Sequence, residues 1–77
     1  MTTYELWDGD TGNSLGHYES EREALRNVAR DIEEHGATSY ATVGLLERSG
    51  DLEGHLIAEG DALVARAKAA FPARSAV

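Results

Sequence analysis

The sequence predicts an α+β domain built from two ββα units, in which one four-stranded antiparallel sheet carries two helices (ββαββα). Three observations lead there. Short runs of interleaved apolar and polar residues come in two pairs, each broken by a turn containing glycine. Each pair is followed by a segment of helical periodicity. The two halves also match without gaps at an offset of thirty-eight residues, where "GHYESEREAL" from Gly16 lies over "GHLIAEGDAL" from Gly54.

In the first unit, "TYELWD" reads as a strand and "SLGHYE" as its return, with Asp, Gly, Thr and Asn between them. Matching side chains across the pair sets Trp7 against Leu15, Leu6 against Gly16, Glu5 against His17 and Tyr4 against Tyr18. "SEREALRNVARDIEEHG" reads as a helix: Ser20 caps it, Glu23 completes a capping box, and Gly36 stops it. Leu25, Val28, Ala29 and Ile32 form its buried stripe. In the second unit, "SYATVGLLER" and "LEGHLIA" read as strands around "SGD". The alanine-rich "GDALVARAKAAF" reads as a helix with Leu63, Ala67, Ala70 and Phe71 on one side, ended by Pro72.

Each helix must bury its stripe against its own hairpin, so both helices are expected on one sheet face. The other face then carries Glu5, Trp7, Leu15 and His17, and the thirty-eight-residue match adds Val43, Leu45, Glu53 and His55. Trp7, Leu15, Val43 and Leu45 are too much apolar surface to leave wet, so either the second helix crosses over to cover them or another protein chain does. The doubled apolar residues Leu45, Leu46 and Leu56, Ile57 leave the facing of the second hairpin open, and suit strands covered on both sides.

The order of strand, Gly-containing turn, strand ending in an aromatic, then acidic alanine-rich helix, given twice, resembles the YegP-like ββα-repeat proteins. "GNSLGHYESEREALRNV" and "GDLEGHLIAEGDALVARA" carry that resemblance over most of the chain. It implies the fold and assigns no active site. The lysine and the Asn-Gly turn associated with that family are absent.

Seventy-seven residues make one small domain, expected over residues 1–72 with repeat units at about 4–35 and 42–71 and a frayed tail at 73–77. With no cysteine there is no disulfide or thiolate metal site, which raises the expectation of self-association in so small a core. Fourteen acidic against seven basic residues give a formal charge of -7, which disfavours nucleic acid and anionic membrane surfaces as partners. Arg22, Arg26 and Arg30, spaced by four, read as one edge of a solvated helix face. No segment reads as a signal peptide or membrane span, so the cytoplasm is the expected location.

Asp8, Asp10 and Glu19 fall at positions one, three and twelve of an EF-hand loop, but Gly12 offers no ligand oxygen and Asn13 stands where glycine is required. A plain turn is the better reading. His17, His55, Glu5 and Glu53 are candidates for a zinc or acid-base site should they converge, and His35 complements the end of its helix. No phosphate loop, nucleophile elbow or serine triad is present; Ser14, Ser20 and Ser39 read as strand, cap and link residues. No catalytic residue and no cofactor is assigned. The expected function is a non-enzymatic interaction module that forms a homodimer or docks on another protein through the face around Trp7. The alternatives are a small enzyme or metal-dependent binder at the histidines, and an acidic partner of a basic protein.

Overall fold

Strand β1 (Thr2–Asp8) alternates Tyr4, Leu6 and Asp8 on one side with Thr3, Glu5 and Trp7 on the other, and returns through a turn into β2 (Asn13–Tyr18). This is a computed structural model that describes residues 2–49 and 54–72. Helix α1 (Glu21–His35) follows, then a short 3-10 turn (Thr38–Tyr40), strands β3 (Val43–Ser49) and β4 (His55–Glu59), and helix α2 (Gly60–Ala70). The strands form one antiparallel sheet in the order β2-β1-β3-β4, so the first strand of each hairpin lies at the centre. The α+β class and the ββαββα order are those expected from the sequence. Among the described residues no helix is long and apolar enough to cross a membrane.

The caps explain where the helices begin and end. Ser20 Oγ accepts from the Glu23 amide at 3.1 Å, while the Glu23 carboxylate reaches back to the amide of Glu19, one residue outside the expected capping box. Gly36 ends α1 at φ 86° and its amide bonds to the Ile32 carbonyl, a backbone that glycine adopts without strain. At the start of α2, Gly60 has φ 56°, a left-handed conformation that favours glycine, and an added Cβ would crowd the Ala41 carbonyl oxygen at 3.2 Å.

Leu6 and Leu45 pair across the middle of the sheet and are fully buried under the helices, together with Val28, Val43 and Leu63. The buried positions of α1 are Ala24, Leu25 and Val28, with Ala29 and Ile32 at its margin; those of α2 are Leu63, Val64 and Ala67. Ala70, expected in the α2 stripe, is exposed one turn beyond Ala67. These sets, like Leu6 and Leu45, stand thirty-nine residues apart, not thirty-eight. The one-residue difference matters in a strand, because it reverses the face on which a side chain points.

Tyr40 was expected at the start of a strand. It lies instead in the 3-10 turn, buried against the core, and its hydroxyl donates to the Asp31 carboxylate of α1. Strand β3 accordingly starts at Val43. The turn "SGD" lies largely outside the described residues, as does the tail 73–77.

Candidate functional site

The sheet face turned away from both helices is the surface singled out by the sequence, and its occupants differ in part from those expected. Glu5, Trp7 and His17 are there. Val43 and Leu45 are not: they pair with Asp8 and Leu6 on the helix side and are buried at 2% and 0% exposure. Register accounts for the correction. The offset of thirty-eight laid Trp7 over Leu45 and Glu5 over Val43, whereas β1 and β3 pair so that Trp7 faces Gly44 and Glu5 faces Leu46.

Leu15 also leaves the open face. The β1–β2 register shifts between Leu6 and Trp7, so Trp7 pairs with Ser14 and Leu15 falls in a bulge. Its half-exposed side chain lines a cleft on the helix side with Asp31, His35 and Tyr40. Leu46, opposite Glu5, and Leu56, opposite Leu46, take the vacated apolar role. A second shift between Leu45 and Leu46 lets Leu56 point outward while Ile57 packs toward the core. One residue of each doubled pair therefore faces each way, and that doubling was the signal in the sequence for Leu46 and Leu56.

Trp7 is 37% exposed and Leu56 45%. Leu56 leans over Gly44, its Cδ1 lying 3.0 Å from where a Cβ would stand, so the missing side chain at the centre of the sheet is covered from the neighbouring strand.

Beside this apolar strip lies a carboxylate whose side chain is only 6% exposed, on the face turned away from α1 and α2. Arg48 Nε donates to Glu5 Oε1 at 2.7 Å, and His17 Nε2 lies 3.3 Å from Glu5 Oε2. Burial raises the Glu5 pKa, but hydrogen bonds from Ser14 and Arg48 and the nearby positive charge outweigh it and hold the group below its ordinary value. Glu5 is thus an ionised, partnered structural carboxylate. Arg48 was not anticipated; its cue is a cation on β3 diagonal to an acid on β1.

The histidine site does not assemble. His17 is on edge strand β2 and pairs with Glu5 on the open face; His55 is on the opposite edge strand β4 and pairs with Glu47, which lies on the helix side and accepts from the Tyr4 hydroxyl. Three strand spacings, roughly 14 Å, and the thickness of the sheet separate the two imidazoles. Glu53 lies outside the described residues. Among those described, no group of three or more His, Cys, Asp or Glu side chains could hold a metal ion.

The carboxylate of Asp8 is likewise engaged in structure. Its Oδ1 accepts from Thr42 Oγ1 at 2.8 Å and from the Asp10 amide at 3.0 Å, tying the first turn to the segment before β3. The Gly9 amide donates to the Thr42 carbonyl in the same junction.

Comparison with protein-family models, with curated proteins and with solved structures finds no match to the chain.

Proposed function

We propose that the chain is a small non-enzymatic interaction module whose open sheet face receives a second copy of itself. The observation that carries this reading is the exposure of Trp7 on central strand β1 and Leu56 on edge strand β4, with Leu46 between them, on the sheet face turned away from α1 and α2. Two such faces would pack as a sandwich about 10 Å thick with the helices outside.

Two molecules of charge -7 repel at a distance, so a contact between copies needs charges that are matched locally. On the open face Glu5 is matched by Arg48, with His17 beside them and Glu59 at the margin. Trp7 stands on a central strand, where an aromatic anchor contributes most.

Magnitudes make the association weak. The remaining exposed surface of Trp7 or Leu56 is worth roughly 2 kcal/mol on burial. Four such side chains give about 8 kcal/mol against an association cost of about 4–15 kcal/mol. The flat area of the face, roughly 400 Å² from four strand spacings and six residues of length, is below the usual interface of about 800 Å² per partner. A dimer that dissociates on dilution is therefore expected. Sedimentation across a concentration series should show monomer and dimer in exchange, with Trp7→Asp monomeric throughout. A wild-type chain that stays monomeric at millimolar concentration, or an assembly unchanged by Trp7→Asp, would sink the proposal.

A further inference from the structure

On the opposite side of the molecule, the end of α2 lies against the second half of α1 and leaves a trough around Phe71. One lobe, about 520 Å³, is lined by Arg26, Arg30, Ala29, Ala70, Phe71 and Pro72 together with Glu33. The adjoining lobe, about 350 Å³, shares Ala29, Glu33, Phe71 and Pro72 and adds Ile32 and Lys68. The guanidinium carbons of Arg22 and Arg26 lie 4.8 and 5.5 Å from the Phe71 ring centroid, within cation–π range.

The three arginines are exposed, as the sequence reading of a solvated helix edge expects, and their surroundings add to that reading. Arg22, Arg26 and Arg30 repeat every four residues, which places like charges beside one another at some cost to the helix. On a chain with twice as many acids as bases, none of the three has a carboxylate within salt-bridge distance among the described residues, whereas Arg48 and Arg66 each do. Phe71 gathers two of them. A guanidinium that meets a ring through its face keeps its in-plane N–H groups for a planar anion. Cations thus rim one lobe, and the shared floor and second lobe are largely apolar.

We infer that this trough binds a small organic anion, a carboxylate joined to a flat or aliphatic apolar body. The carboxylate sits at Arg26 and Arg30, and the body lies along Ala29, Ile32 and Phe71. The net charge of -7 selects for size: a polyanion meets the repulsion of the whole molecule, while a single carboxylate is shielded from it beyond a Debye length of about 8 Å. Glu33 is the opposing charge in the trough and limits affinity.

The test uses 2-naphthoate as probe, with its neutral analogue 2-naphthalenemethanol and inorganic phosphate alongside, followed by amide chemical shifts of the full chain. Saturable shifts from 2-naphthoate are expected between Arg26 and Glu33 and at Ala70 and Phe71. Binding should weaken about tenfold or more for the neutral analogue, for phosphate and for Arg26→Gln with Arg30→Gln. Glu33→Gln should tighten it, a gain that loss of structure does not produce. All three residues border solvent, so these variants retain the fold, and Trp7→Asp should leave binding unchanged. Equal binding of the neutral analogue or of phosphate, indifference to the arginine changes, shifts centred on Trp7 and Leu56, or no saturable shifts in the millimolar range would each overturn the inference.

Discussion

Arg48 donates from Nε to Glu5 Oε1 at 2.7 Å on the sheet face turned away from α1 and α2, and with the bond from Ser14, the larger of the two effects, it keeps a nearly buried carboxylate ionised. Replacing Arg48 with alanine leaves Glu5 with Ser14 and His17 only. Because the Arg48 side chain is 41% exposed, water and salt temper the loss, and about 1–2 kcal/mol of destabilisation is expected. The pH dependence has a definite sign. Glu5 titrates below its ordinary value in the folded chain, so its contribution is complete above that value, 4.5, and is lost as pH falls through the lower folded value. Urea unfolding between pH 3 and pH 7 should show this acid limb in the wild type and a smaller one in Arg48→Ala.

Tyr40 produces the opposite limb. Burial first, and then its bond to the Asp31 carboxylate, push the phenol well above its ordinary value of 10.0. A group raised on folding stabilises fully below its unfolded value, and that stability drains as pH rises from there toward the folded value. Tyr40→Phe should cost about 1 kcal/mol at neutral pH for the lost hydrogen bond and flatten the decline of stability between pH 9.5 and 11. An alkaline limb of equal slope in both proteins would exclude this origin.

Legibility from sequence followed the range of the forces involved. Helix α1 was readable because its cap, stripe and stop are local: Ser20, Leu25 to Ile32, and Gly36 each act within a few residues. The pairings of Tyr4, Glu5 and Leu6 were readable because matched side chains meet directly across the hairpin. Facing failed where a single residue decides it. The bulge at Leu15 and the pairing of Leu6 with Leu45 depend on how the sheet closes under the helices, which a gapless sequence match does not record. Tyr40 was missed for a related reason, since an aromatic beside Thr and Val suits a strand by propensity while the core draws it into a 3-10 turn.

Asp8 supplies a sharp test of the first turn. Its carboxylate is held below the ordinary range by the Thr42 hydroxyl first and the Asp10 amide next, so it acts as a bracket between two loops. Asp8→Ala should lower the melting temperature, and Thr42→Val should lower it through the same contact, with the double change costing less than the sum. Calcium should leave the wild-type melting curve where it is. A rise in melting temperature on adding millimolar calcium would show that Asp8 serves a metal after all.

The adjacent leucines of β3 separate fold from association, because they point to opposite faces of one strand. Leu45 is fully buried opposite Leu6, and Leu46 lies between Glu5 and Leu56 on the open face. Leu45→Ala removes methylenes from the core and should cost about 2–5 kcal/mol, enough to unfold much of a chain this small. Leu46→Asp sets a second carboxylate at a half-buried position directly opposite Glu5, so the melting temperature should fall by less than for Leu45→Ala while circular dichroism keeps the native spectrum. The same change adds a negative charge to each of two facing sheets, and should leave the protein monomeric at concentrations where the wild type sediments as a dimer. If Leu46→Asp unfolds the chain while Leu45→Ala leaves it intact, the facing of β3 is reversed; if Leu46→Asp is folded and still dimeric, the contact lies elsewhere on the molecule.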